Sequence, residues 1–212
     1  MVNEVRRWME SSEVIAMFPS LVWKLQIDAG LRDVLAESIL PALTEMRRGL
    51  PPLEPGRGWQ SAQSLHERGD FRELVSCVDR GTTSILRFLR IGHDAFEITA
   101  CWGTVLAKGA AHKIHSHPNN FLSGVYYVRT QPGTDTINFH HLRRQTSLGP
   151  ARGADGGQHR PGGSQGAQRN ASDVPSFMEH SVDANMSEEE RISVSFNVMF
   201  SSFTRQLSKT LW

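Results

Sequence analysis

The stretch Arg191-Ile-Ser-Val-Ser-Phe-Asn-Val-Met-Phe200 is the clearest structural signal in the chain. Its apolar side chains occupy every second position, namely Ile192, Val194, Phe196, Val198 and Phe200. Because successive side chains of a strand point to opposite faces, this alternation predicts a β-strand with one apolar face. A second alternation runs from Phe96 to Trp102, and a run typical of strands covers Phe121 to Val128. The second half of the chain is therefore predicted to be mainly sheet.

The first ninety residues follow a helical period instead. Apolar residues recur at helical spacing from Leu31 to Leu43, and Asp28 stands where a helix-capping residue is expected. A second helix is predicted to start at Asp70, which forms a capping-box-like pair with Glu73, and to break near Gly81. Helices first and strands afterwards predict an α+β fold with a mainly β core, built as a sandwich or barrel.

The chain length suits one domain with a sizeable core. We expect a single domain over residues 1–212, with a mostly helical part in 1–92 and a β core in 93–205. The segment 142–173 is anomalous, because it contains seven glycines, five arginines and no aromatic residue. We expect it to supply no buried strands. It is either a flexible surface loop or a stretch translated out of frame between two compensating indels.

Charge and composition exclude several classes of protein. The formal net charge is +1, which argues against a nucleic-acid substrate and against an anionic membrane surface. No apolar run is long enough to span a bilayer. Met1 to Glu10 carries charges and lacks the apolar core of a signal peptide, so a cytoplasmic location is the default expectation. The oligomeric state stays open, a homodimer included.

Two groups of histidines carry the candidate chemistry. The first is His115-Ser116-His117-Pro118, and the second is His180, which precedes the final strand. Residues two apart on a strand share a face, so His115 and His117 could hold one metal ion. His112 would point to the opposite face of a regular strand. A His-x-His pair alone is a weak indication of metal, and the order of His-x-His, strand, distant histidine and then Arg191 strengthens it.

Iron oxygenases use two histidines and usually one carboxylate on one face of the metal, leaving the other positions open. A cation on a neighbouring strand then anchors the far carboxylate of the cosubstrate. Arginine suits this role because its planar fork pairs with a carboxylate through two hydrogen bonds. Arg191, at the start of the predicted final strand, is a candidate for this role; the alternative is a solvated charge that follows the acidic run 188–190.

Three segments resemble a family of 2-oxoglutarate/iron(II) oxygenases found mostly in bacteria and phages and distantly related to the prolyl hydroxylases. They are His115-Ser-His-Pro-Asn-Asn-Phe-Leu-Ser-Gly-Val-Tyr-Tyr-Val128, Pro175-Ser-Phe-Met-Glu-His180 and Arg191-Ile-Ser-Val-Ser-Phe-Asn197. Trp102 and Gly109 also fit its pattern. The resemblance implies a double-stranded β-helix, or jelly roll, with the N-terminal helices packed on it.

The same resemblance implies roles for individual residues. His115, His117 and His180 would be the metal ligands, although many relatives place an aspartate where this chain has His117. Arg191 would bind the distal carboxylate of 2-oxoglutarate, and Ser193 and Tyr127 would assist it. Of the neighbours Tyr126 and Tyr127, at least one must face the core, because adjacent strand residues point opposite ways.

The implied activity is that of an iron(II)- and 2-oxoglutarate-dependent dioxygenase, an oxidoreductase that uses O₂. It would couple oxidative decarboxylation of 2-oxoglutarate to hydroxylation of a substrate that the sequence does not identify. One alternative is a cupin-like three-histidine metal protein, a dioxygenase or isomerase that does not use 2-oxoglutarate. Another is a non-catalytic metal-binding module. Arg191 with Ser193 favours the first over the second, and metal content separates both from the third.

Overall fold

The computed structural model describes residues 20–92, 95–131, 136–140, 163–165 and 171–205. These residues form the helices α1 (Ala29–Met46), α2 (Arg72–Leu89) and the short α3 (Ser201–Thr204). The strands are β1 (Trp23–Leu25), β2 (Gly58–Gln60), β3 (Phe96–Leu106), β4 (His112–His115), β5 (Leu122–Arg129), β6 (Thr136–Phe139), β7 (Gly163–Gln165), β8 (Ala171–Pro175), β9 (His180–Val182) and β10 (Arg191–Phe200).

The strands form two antiparallel sheets. The major sheet has the order β1-β8-β5-β10-β3-β2, and the minor sheet has the order β4-β9-β6-β7. The prediction of mixed helix and sheet with a mainly β second half is therefore confirmed. No helix in the described part of the chain is long and apolar enough to cross a membrane.

Strand β10 lies at the centre of the major sheet, between β3 and β5. Its apolar positions Val194, Phe196 and Val198 are buried in the hydrophobic core. That core also contains Leu35, Ile39 and Leu43 of α1, so the helices cover this face of the sheet. The polar positions of β10 point to the opposite face, where the minor sheet lies. The predicted alternation thus separates a hydrophobic core from a polar interior.

Helix α1 begins where the sequence predicted. The Asp28 carboxylate accepts hydrogen bonds from the backbone N–H groups of Gly30 (2.9 Å) and Leu31 (3.4 Å), which satisfies two donors at the helix start. Pro41 lies inside the helix without ending it. The helix ends at Met46, and Gly49 follows with a φ of 82°, which favours glycine.

The predicted start and break of α2 are wrong. Asp70 lies in a 3₁₀ turn, Gly69–Phe71, and its carboxylate pairs with Arg68 at 2.8 Å instead of capping a helix. The α-helix begins at Arg72 and continues through Gly81. Gly81 is buried, and a Cβ there would lie 2.8 Å from Cδ1 of Leu25. This glycine allows β1 to approach the helix and does not interrupt it.

The segment 142–173 supplies strands, although the prediction that none of them is buried concerns side chains outside the described residues. Gly163–Gln165 forms β7, and Ala171–Pro175 forms β8, which pairs with both β5 and β1. A strand needs only backbone donors and acceptors to join a sheet, so a composition poor in large apolar residues did not prevent pairing. The rest of this segment lies outside the described residues, and its out-of-frame origin stays a hypothesis.

Candidate active site

A cavity of about 290 Å³ lies between the two sheets. Polar side chains of β10 line it from the major sheet, and histidines line it from the minor sheet. The described residues around it are Gln60, Gln63, Trp102, His112, His115, His117, Ser123, Gly124, Val125, Tyr127, Ile137, His180, Val182, Arg191, Ser193, Ser195 and Asn197. All the residues that the sequence predicted for the metal and the cosubstrate are in this set.

Three histidines converge on one point of the cavity. His115 at the end of β4 faces His180 at the start of β9 in the antiparallel register, and His117 follows β4. One candidate ligand atom from each of the three lies within 4.8 Å of the other two, so the group could hold a metal ion. The centroids of the rings are 4.3 Å apart for His115 and His180, and 5.1 Å apart for His115 and His117.

Backbone carbonyls fix the tautomers of two of these histidines. Nδ1 of His115 lies 2.8 Å from the carbonyl oxygen of Lys113, and Nδ1 of His180 lies 3.0 Å from that of Met178. A carbonyl can only accept, so each Nδ1 must carry the hydrogen and donate it. Nε2 of both rings then keeps its lone pair for a metal, which is the arrangement found at histidine metal sites.

The site also favours the neutral form of two of its imidazoles, those of His117 and His180. The pKa of His117 is lowered from 6.5 to about 4, mainly by burial and also by the neighbouring His180 and His115. The pKa of His180 is lowered by burial and by the nearby histidines, although its bond to Met178 acts in the opposite direction. A neutral imidazole is the form that binds a metal, so these shifts suit metal binding near neutral pH.

His112 is in the cavity, contrary to its predicted orientation. The β4–β9 pairing changes register between His112 and His115, so the simple alternation of faces does not hold there. The ring centroids of His112 and His115 are 6.1 Å apart. Burial lowers the pKa of His112 to about 4, and Arg191 contributes to this shift. His112 is therefore a neutral side chain between the histidine triad and the arginine.

Arg191 is buried, with 3% of its surface exposed. The three glutamates that precede it lie at the surface: Glu188 pairs with Lys108, Glu189 with Gln131 and Glu190 with Arg47. The alternative that Arg191 continues a solvated charged run is therefore wrong. The chain turns inward at Arg191 and places the guanidinium against the cavity.

Asn185 holds the loop that leads to Arg191. It is fully buried, and its Nδ2 donates to the carbonyl oxygens of Leu106 (3.0 Å) and Glu189 (2.8 Å). Its backbone exchanges hydrogen bonds with Gly109 and Ala110, just before β4. This one asparagine connects the approach to β10 with the approach to the histidine strand, and no pattern in the sequence marked it.

Ser193 and Tyr127 extend the polar face beside Arg191. Ser193 is opposite Tyr127 on β5 and opposite Thr104 on β3, so the three side chains form a row across the sheet. Ser193 and Tyr127 are buried and line the cavity, whereas Tyr126 is in the hydrophobic core. The predicted division of the two tyrosines is thus confirmed.

Several lining residues were not predicted as site residues. The ring centroids of Trp102 and His117 are 5.7 Å apart, and Ser195 is opposite Trp102 in the sheet. Ser123 and Asn197 form a buried hydrogen-bonded pair, and Gln60 and Gln63 are two further polar residues of the lining. The available signal was the polar half of the β10 alternation, which continues from Ser193 to Ser195 and Asn197.

The model of a family described as "Putative 2OG-Fe(II) oxygenase" matches residues 100–197, a segment that contains all three histidines and Arg191. Over this segment the chain is similar to the 2-oxoglutarate/iron(II) oxygenases. The match indicates an oxidoreductase whose cofactors are iron(II) and 2-oxoglutarate. The residues present fit that pair, because the cavity contains both a histidine triad that could hold a metal ion and a buried guanidinium. No curated protein matches the sequence.

Solved structures share the fold of this oxygenase. A prolyl hydroxylase from Trichoplax adhaerens, in complex with a hypoxia inducible factor peptide, matches with a TM-score of 0.58 at 10% identity, covering 89% of this chain and 87% of that one. The epimerase SnoN from nogalamycin biosynthesis, in complex with Fe³⁺, α-ketoglutarate and nogalamycin RO, matches with a TM-score of 0.60 at 15% identity, covering 90% and 87%. A Pseudomonas putida prolyl-4-hydroxylase matches with a TM-score of 0.55 at 14% identity, covering 85% of this chain and 91% of that one.

Proposed function

We propose that this oxygenase hydroxylates its substrate at an iron(II) ion held by His115, His117 and His180, with 2-oxoglutarate bound between the metal and Arg191. Ser193 and Tyr127 hydrogen-bond to the same distal carboxylate. In this proposal the two sheets are the halves of a double-stranded β-helix, and the cavity is its interior. The fold shared with the prolyl hydroxylases and SnoN supports this interpretation.

The observation that carries the proposal is the presence of Arg191 and the histidine triad in one cavity. The planar fork of an arginine pairs with a carboxylate through two charge-assisted hydrogen bonds. 2-Oxoglutarate has an acidic group at both ends, so one end would meet the metal at the triad and the other would meet Arg191.

Each residue has a stated task in the reaction. When bound, iron(II) supplies the sites at which 2-oxoglutarate and dioxygen meet. The carbonyls of Lys113 and Met178 hold His115 and His180 with Nε2 toward the metal. Arg191 neutralises and orients the far carboxylate, and its planar fork fixes the direction in which the keto-acid end points. The flanking sheets exclude bulk water, which protects the reacting groups.

The three-histidine ligand set favours one alternative. Three neutral imidazoles leave the double charge of the metal uncompensated, which is also compatible with a cupin-like protein that does not use 2-oxoglutarate. Such a protein gives no reason to bury an arginine beside the metal site. Arg191 therefore supports the 2-oxoglutarate-dependent reaction over this alternative.

The test is an anaerobic titration of the iron(II)-loaded protein with 2-oxoglutarate. Chelation of the metal by the keto acid produces a visible charge-transfer band, which should saturate at one equivalent per chain. Admission of O₂ should then give succinate in an amount set by the bound 2-oxoglutarate. A protein that binds iron(II) but develops no band would contradict the proposal and favour the cupin-like alternative. A protein that binds no metal would favour a non-catalytic module.

A further inference from the structure

We infer that Asn197 and Ser123 form the subsite for the primary substrate, and that this subsite binds an uncharged carboxamide. The inference rests on the proposed function, because it assigns the part of the cavity that the metal and 2-oxoglutarate leave open. It names a class of substrate group and two specificity-determining residues.

The position of Asn197 along β10 places it beyond the metal site. Arg191, Ser193, Ser195 and Asn197 all face the cavity, and a strand rises about 3.3 Å per residue, so Arg191 and Asn197 are on the order of 20 Å apart. His117 lies beside Trp102, which is opposite Ser195, so the triad reaches the level of Ser195. A cosubstrate that lies between the triad and Arg191 extends from this level toward the Arg191 end of β10. The level of Asn197 is therefore on the far side of the metal.

The hydrogen bond between Ser123 and Asn197 leaves a donor and an acceptor side by side. Ser123 Oγ donates to Asn197 Oδ1 at 2.8 Å, and both residues are buried. This bond occupies the amide oxygen and leaves the Nδ2 group as a donor toward the cavity. Ser123 Oγ keeps acceptor capacity beside it. An adjacent donor and acceptor match a carboxamide, which offers one oxygen and one N–H.

The space and the charge around Asn197 suit a small uncharged group. Asn197 is opposite Ala100 on one neighbouring strand and Ser123 on the other, so small side chains flank it. The described lining contains Arg191 and four histidines but no carboxylate, and the metal adds two positive charges. A cationic substrate group would be repelled there, whereas an uncharged polar group would not. The cavity volume of about 290 Å³ is at the lower end for ligand pockets, so it accepts a small molecule or one side chain of a larger one.

The experiment uses two probes of the same shape, isobutyramide and the isobutyramidinium cation. The full-length protein is loaded with Mn(II) and saturating 2-oxoglutarate without oxygen, and the relaxation of the probe methyl protons by the metal reports binding near it. Isobutyramide should be relaxed and isobutyramidinium should not. Asn197→Leu and Ser123→Ala should each weaken isobutyramide binding about threefold to tenfold, the effect of one hydrogen bond. Asn197→Asp, which adds a negative charge at constant shape, should reverse the preference.

Asn138→Leu is the matched control, because Asn138 lies on β6, is not among the cavity-lining residues and bonds Asp183. It should leave probe binding unchanged. Equal relaxation of the two probes, or full retention of isobutyramide binding in Asn197→Leu and Ser123→Ala, would overturn the inference while 2-oxoglutarate binding stays intact. Loss of 2-oxoglutarate binding in the unmodified Mn(II) protein would instead reject the proposed function, and this inference with it. If Asn197→Leu does not fold, Ser123→Ala and Asn197→Asp decide the question.

Discussion

His115 and His180 face each other across the β4–β9 pair, and each holds its Nδ1 against the carbonyl oxygen of the residue two positions earlier on the chain. The two bonds are 2.8 Å and 3.0 Å long and involve Lys113 and Met178. Because both acceptors belong to the backbone, no side-chain substitution can remove them. The backbone alone therefore presets Nε2 of both rings for metal binding, before any metal is present.

The first prediction concerns iron stoichiometry. The unmodified protein should bind one Fe(II) per chain, and His115→Ala or His180→Ala should abolish stoichiometric binding, since each removes a ligand and its geometry. His66→Ala, a histidine outside the cavity, is the control and should bind normally. Metal analysis after anaerobic loading and desalting measures the outcome.

His117 is the informative member of the triad. His117→Ala should also lose stoichiometric iron, and His117→Asp should recover it, because a carboxylate is the ligand that many relatives have there. Full retention of iron in His117→Ala would show that the third ligand is a different group.

The second prediction concerns acid. In the folded protein the pKa of His112 and the pKa of His117 are each lowered from the ordinary value of 6.5 to about 4. Burial is the main cause of this lowering. Between these values the unfolded chain binds more protons than the folded one, so acid favours unfolding. The urea midpoint of the metal-free protein should therefore fall as the pH is lowered from about 6.5 to 4, with most of the loss inside that window.

His112→Asn provides the control for this prediction. This substitution removes one imidazole whose pKa is lowered in the folded protein. The urea midpoint should then vary less with pH, while the slope of the urea unfolding transition stays the same. A midpoint that stays constant between pH 6.5 and 4 would contradict the buried, neutral state assigned to these histidines.

The third prediction concerns Asn185. Asn185→Ala leaves the carbonyl oxygens of Leu106 and Glu189 without their buried donor, which should lower the free energy of unfolding by about 2–4 kcal/mol. Asn138→Ala removes an exposed bond to Asp183 and should cost less than about 1 kcal/mol. Urea denaturation of the metal-free proteins measures both. Equal stabilities of the two variants would show that Asn185 does not anchor the loop before Arg191.

The sequence was sufficient to predict that the histidine triad, Arg191, Ser193 and Tyr127 meet in one site. Strand alternation is a local property, so the polar face of β10 and the two faces of Tyr126 and Tyr127 follow from the sequence itself. His115 and His117 are neighbours in the chain, and the family resemblance supplied His180. The structure brings these residues together as expected.

The sequence did not predict features that depend on distant partners. The position of His112 depends on the register change between β4 and β9, which is set by pairing with a later segment. The predicted start of α2 was wrong because Arg68 competes for the Asp70 carboxylate. Strand β8 was missed because its pairing with β5 uses backbone groups, which composition does not report. Asn185 acts through carbonyls that the fold brings to it.

The central claim is that Arg191 binds the distal carboxylate of 2-oxoglutarate. Truncation of one partner of a charged, two-point hydrogen-bonded pair in a partly desolvated site costs on the order of 2–5 kcal/mol, which corresponds to roughly thirtyfold or more in affinity. Arg191→Lys should recover only part of this, because an ammonium group cannot reproduce the fork. Arg129→Ala, an exposed arginine at the end of the neighbouring strand β5, is the matched control.

The measurement is the anaerobic affinity for 2-oxoglutarate, with saturating Fe(II), of the unmodified protein and these three variants. We predict a loss of about thirtyfold or more for Arg191→Ala, a smaller loss for Arg191→Lys and no change for Arg129→Ala, with Fe(II) affinity nearly the same in all four. Equal affinities of the unmodified protein and Arg191→Ala for 2-oxoglutarate would contradict the claim.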